Sequence, residues 1–134
     1  MKHTAIIEMW DDGTFSIYVL DMKSHGLNAQ GKTVEEAKRG LYDGISDYVD
    51  MYKEEGKSVP DELVEVEFDY KYDIASFFEC FNWINISKFS KKAGINASLM
   101  RQYKKRLAFA SEKQCEKIQK AINEMGTELT AVRL

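Results

Sequence analysis

A single proline, two cysteines and two histidines among 134 residues leave little material for several kinds of chemistry. Cys80 and Cys115 are far apart, form no C-x-x-C pair, and fall in segments of helical character, so reduced core thiols are expected rather than a disulfide or a metal site. His3 and His25 have neither metal-ligand spacing nor a serine or cysteine nucleophile with a matching base, and surface positions account for them. No apolar run approaches the roughly 18 residues of a membrane helix, and Glu8 arrives before a signal-peptide core could form. A soluble cytoplasmic protein with no membrane contact, no cofactor and no metal is the expectation. What remains is 44% hydrophobic and 31% charged, a globular composition with room for one ordinary domain or two small ones.

The net charge of −3 averages two opposite halves. Residues 1–72 hold 8 Lys/Arg against 16 Asp/Glu, net −8, and residues 73–134 hold 11 against 6, net +5. From Cys80 to Ser111 there is no acidic residue at all. Such asymmetry suggests one surface for a basic partner and another for a polyanion.

In the acidic half, Ala5, Ile7 and Met9 alternate with Ile6, Glu8 and Trp10, and Phe15, Ile17 and Val19 with Ser16, Tyr18 and Leu20. Asp11-Asp12-Gly13 between them marks a β-hairpin. A loop with Gly26, Asn28 and Gly31 then leads to Thr33-Val34-Glu35-Glu36, a capping box whose threonine and glutamate each satisfy a free backbone N–H. Val34, Ala37, Leu41, Ile45, Tyr48 and Tyr52 form one helical stripe that should pack on the sheet. After Gly56 and Pro60, the alternation of Val64, Val66, Phe68 and Tyr70 predicts a third strand. The expected order is strand, strand, helix, strand.

The basic half opens with Asp73 as cap of a helix carrying Ile74, Phe77, Phe78, Phe81 and Ile84, a core or interface stripe. Two short helical segments follow, 86–93 and 97–105, joined at Gly94-Ile95-Asn96 in the pattern of a helix-turn-helix. Gly94 permits a left-handed turn, Ile95 plugs the angle, Asn96 caps the second helix, and Phe89, Met100 and Tyr103 fill the interior. The second helix would enter the major groove by its N-terminal end, with Ser98, Gln102 and Arg101 as base readers and Ala97 against a thymine methyl. Lys88, Lys91, Lys92, Lys104, Lys105 and Arg106 would meet phosphates. Ser111-Glu112-Lys113-Gln114 is a second capping box, opening a helix with Gly126 as its stop. The tail 128–134 has β character and predicts a strand seeking a partner edge, so a dimer is expected on that ground.

Taken together these residues resemble the HicB antitoxins of bacterial HicA–HicB toxin–antitoxin pairs. The likeness spans the hairpin ending at Asp12-Gly13-Thr14-Phe15, the loop to Gly31, the helix start Thr33-Val34-Glu35-Glu36-Ala37, the exit Gly56-Lys57-Ser58-Val59-Pro60, and the C-terminal helix-turn-helix. It implies an α+β chain: a partial ribonuclease H-like β-β-α-β domain over 1–72 that binds a small basic mRNA-cleaving toxin, HicA, then an all-α phage-repressor-like DNA-binding and dimerisation domain over 73–134. It also implies operator DNA as a partner and assembly as a homodimer or higher oligomer. The toxin contacts stay open within the acidic face of 1–72, with Asp43, Asp47 and Asp50 as candidates. Two departures from the family pattern stand out. The segment Leu20 to Gly26 lacks the family's proline brackets, and Arg106 occupies a position where repressor domains often have glycine, which predicts a longer recognition helix.

Two rival readings differ in class. An enzyme would need converging carboxylates, but Asp11 and Asp12 fall in a turn and Glu8, Glu65, Glu67 and Asp69 alternate along strands, so no catalytic residue is expected. A stand-alone transcription regulator, its N-terminal half sensing a ligand or only dimerising, is compatible with the same sequence.

Overall fold

The computed structural model describes residues 1–134 as a mixed α+β chain. Strands β1 (Lys2–Met9), β2 (Phe15–Val19) and β3 (Asn28–Gly31) precede helix α1 (Val34–Glu54); a 3-10 turn (Asp61–Leu63) leads to β4 (Glu67–Asp73). Helices α2 (Ala75–Cys80), α3 (Ile86–Ala93) and α4 (Ala97–Lys104), the two-residue strand β5 (Ala110–Ser111) and helix α5 (Glu112–Thr130) complete it. The hydrogen-bonded strand order is β3-β2-β1-β4-β5 in a mixed sheet. Two compact units are present, Met1–Lys71 and Tyr72–Leu134. No helix is long and apolar enough to cross a membrane.

In the first unit β1 and β2 pair antiparallel with Ile7 opposite Ile17, and the hairpin closes where Asp12 Oδ1 accepts from the Thr14 N–H and hydroxyl. Those bonds hold the Asp12 carboxyl below its usual range, led by the Thr14 side chain, so Asp12 belongs to the turn. Strand β3 is an addition to the expected order: Ala29 pairs with Ile17 inside the segment read as loop. Its sequence, Asn-Ala-Gln-Gly, has little β propensity, so pairing with β2 makes the strand.

Thr33 caps α1 as expected, Oγ1 accepting from the Glu36 N–H, whereas the Glu36 carboxylate reaches the Lys32 N–H at 3.4 Å instead of that of Thr33. Ala37, Leu41 and Ile45 are buried by the sheet. The approach is close because Gly40 and Gly44 have no side chain: a Cβ would lie 2.8 Å from that of Ala29 at the first and 2.6 Å from Leu27 Cδ1 at the second. The third expected strand starts three residues late. Val64 ends the 3-10 turn and Glu65 takes φ 47°, which interrupts the extended run.

Both histidines are buried, contrary to the surface positions expected of them. His25 Nδ1 lies 2.6 Å from Glu62 Oε2 and Nε2 2.9 Å from the Tyr52 hydroxyl, while its ring meets Tyr48 edge-on at 4.9 Å. Glu62 Oε1 accepts from the Lys23 N–H, and the Glu62 carbonyl sits 2.9 Å from His3 Nε2. The network ties the loop after β2 to the 3-10 turn and the end of α1, and leaves no buried side-chain polar atom unpartnered. The His25 hydrogen bond is the main reason the Glu62 carboxyl lies below its ordinary value of 4.5.

The second unit packs apolar groups: Ile74, Phe77, Phe78, Phe89, Ile95, Met100, Tyr103, Ile118 and Ala121 form one core. Asp73 Oδ1 accepts from the Ala75 N–H at the start of α2, but the helix stops at Cys80, so Phe81 is 41% exposed and Cys80 is an exposed thiol rather than a core one. Ser111 caps α5 through the Gln114 N–H. Gly126 does not stop that helix, which runs to Thr130, and the tail is not a strand. One glycine costs a helix about 1 kcal/mol, and the hydroxyls of Thr127 and Thr130 bond back to the carbonyls of Asn123 and Gly126 across it.

Candidate nucleic-acid interface

Two eight-residue helices and the turn between them build the site. Asn85 caps α3 through the Lys88 N–H, and α3 ends with Gly94 at φ 70°. The Ile95 N–H bonds the Ser90 carbonyl and the Gly94 N–H that of Lys91, closing the paired bonds of a left-handed helix stop. Ile95 is buried against the core, and Asn96 Oδ1 accepts from the Ser98 N–H to start α4. Phe89, Met100 and Tyr103 are inside, as their spacing requires.

Helix α4 therefore turns Met100 and Tyr103 inward and leaves Ser98, Arg101, Gln102 and Lys104 exposed, with Ala97 half-buried. Asn96 and Lys105 are exposed at its two ends, and Lys88 and Lys91 are exposed along α3. Arg101 reaches across to α3, donating to Ser87 Oγ at 2.8 Å. Lys92 is held by Glu128 of α5 at 2.7 Å, a hydrogen bond that raises its pKa. Its charge is partly spent inside the unit.

Arg106 corrects two expectations. It does not lengthen α4, and it does not lie free for a phosphate. Arg106 takes φ 57°, the left-handed position after a helix that glycine usually fills, with its own N–H on the Tyr103 carbonyl and the Leu107 N–H on that of Gln102. An L-residue there carries strain of about 1 kcal/mol or more. The guanidinium offsets it by donating to Glu79 Oε1 at 2.9 Å and Asp73 Oδ2 at 3.1 Å, hydrogen bonds that raise the Arg106 pKa further, that to Glu79 most. The tie connects the end of α4 to the start of α2, a role no local pattern announced because Asp73 is 33 residues away.

In the first unit Asp43, Asp47 and Asp50 are all exposed on α1. No three His, Cys, Asp or Glu side chains converge as they would to hold a metal ion. Comparison of the chain with protein-family models, curated proteins and solved structures found no match.

Proposed function

We propose that the chain is a HicB-type antitoxin. Its residues 1–72, a partial ribonuclease H-like domain, bind and neutralise a small basic mRNA-cleaving HicA-type toxin in the cytoplasm, and 73–134 repress the pair's operon through a helix-turn-helix, as a dimer or higher oligomer. The observation that carries this reading is the capped α3–Gly94–α4 corner, whose exposed side chains are cationic or polar within a stretch free of acids.

In such a corner α4 is the helix that enters the major groove. Ser98 and Gln102 offer hydroxyl and amide groups to base edges, Ala97 a methyl-sized contact, and Arg101 a guanidinium for guanine. Lys88, Lys91, Lys104 and Lys105 supply phosphate contacts that carry affinity rather than sequence choice. Asn96 holds the helix start and thereby sets its entry angle. Lys92 joins the phosphate contacts only by leaving Glu128. The chain itself cleaves no RNA on this reading, and metal-dependent cleavage abolished by Asp12→Ala would contradict it.

The test is a gel-shift series with the DNA upstream of the chain's own coding sequence. Gln102→Ala should lose about 1–3 kcal/mol of discrimination at one base position, while no binding by the intact protein would overturn the DNA reading. For the first unit, co-purification with the product of an adjoining small basic reading frame is expected, and its failure with both proteins folded would overturn the toxin reading.

A further inference from the structure

Helix α1 covers one face of the first unit's sheet, and the opposite face carries Glu8, Trp10, Ser16, Tyr18, Asn28 and Gln30 around a concavity of about 230 Å³. Trp10 is 49% exposed there. Its indole N–H donates to Ser16 Oγ at 3.0 Å, and Ser16 donates to Glu8 Oε1 at 3.0 Å. This chain of bonds holds the indole and the carboxylate in one arrangement. Glu8 enters no ion pair, its Oε2 accepts no hydrogen bond, and the side-chain amides of Asn28 and Gln30 are exposed beside it.

We infer that this corner of the sheet face, where Trp10, Asn28 and Gln30 are exposed, is a docking site for an arginine side chain on a basic protein surface. A fixed indole offers its face to a planar cation, and an unpaired carboxylate next to amide carbonyls offers acceptors with no competing charge. Guanidinium meets both demands because it is flat and forked, whereas an ammonium is a strongly hydrated point charge. Charge complementarity favours such an occupant, since Asp11 and Asp12 follow Trp10 in the hairpin turn and residues 1–72 carry net −8. The inference rests on the reading of the first unit as the binder of a basic protein, and it moves the contact from the acidic side of α1 to the sheet.

The test uses the intact chain with Trp83→Phe, so that Trp10 is the only tryptophan, titrated with hexa-arginine and hexa-lysine peptides. Saturable quenching of Trp10 is expected with hexa-arginine and several-fold weaker binding with hexa-lysine. Glu8→Gln should weaken hexa-arginine about tenfold, and Gln30→Lys, a change at an exposed residue, should weaken it at least as much. The combined Asp43→Asn, Asp47→Asn and Asp50→Asn variant should change it less than about twofold. Binding indifferent to both Glu8→Gln and Gln30→Lys, or lost in the triple aspartate variant instead, would overturn the inference. Toxin neutralisation failing in cells while peptide binding persists would overturn the antitoxin reading alone.

Discussion

The acidic and basic units hold themselves together by different means. In the first, a helix is drawn onto a sheet where two glycines leave no Cβ, and a buried histidine network secures the loop and turn at one end. In the second, aromatic and aliphatic groups fill one core, and capping side chains start three of its helices. The first design sets a carboxylate against a buried imidazole, and the second adds ion pairs of Arg106 with Asp73 and Glu79 to a mainly apolar interior. The comparison also separates charge from stability: the acids of 1–72 and the cations of the α3–α4 corner are mostly exposed, where ion pairs contribute little to folding and much to attracting a partner.

The largest effect is expected from opening the apolar core of the second unit. Phe78→Ala should cost about 3–5 kcal/mol, because Phe78 is almost wholly buried. Trp10 lies in the first unit and Trp83 in the second, so single-tryptophan variants report each unit in urea. Phe78→Ala should shift the Trp83 transition and leave that of Trp10 nearly in place; equal shifts would mean that the contrast between units does not extend to their cooperativity.

In the first unit the vulnerable element is the polar network around Glu62. Glu62→Gln should cost about 1–3 kcal/mol, read as a shift of the Trp10 transition. The sign of its pH dependence follows from a carboxyl lowered in the fold. The stability it adds is complete above the ordinary value of 4.5 and is lost as pH falls below that value through the lowered one. The wild type should therefore lose stability on acidification more steeply than Glu62→Gln, and parallel acid profiles would show that the His25 contact carries no such linkage.

A smaller effect concerns the two thiols. Burial is the main cause pushing the Cys115 thiol up to about 11, whereas Cys80 is exposed. Iodoacetamide at neutral pH should label Cys80 first and Cys115 only slowly, as read by peptide mass; equal labelling would show that α5 opens readily.

Much of the second unit was legible because its determinants are local. Asn96, Gly94, Ile95 and Ser111 each act within a few residues, and the α3–α4 boundaries follow from them. The strand β3 was not legible, since Asn28–Gly31 becomes a strand only by pairing with residues a dozen positions earlier. Nor was the burial of His25 and His3, whose partner Glu62 lies 37 and 59 residues away. Gly126 and the β-rich tail misled for the opposite reason: a strong local signal was overridden by a helix 19 residues long. At the candidate site, spacing alone identified which side chains face outward on α4, but the diversion of Lys92 to Glu128 and of Arg106 to Asp73 and Glu79 required tertiary structure.

The proposed contact of the basic unit with DNA through the α3–α4 corner is tested by the salt dependence of binding between the intact chain and the fragment upstream of its own coding sequence. Affinity should fall linearly on logarithmic axes as salt rises, and Lys104→Ala should reduce the slope by about 1 while weakening specific and scrambled DNA alike. Absence of binding at low salt, or a slope that Lys104→Ala leaves unchanged, would contradict it.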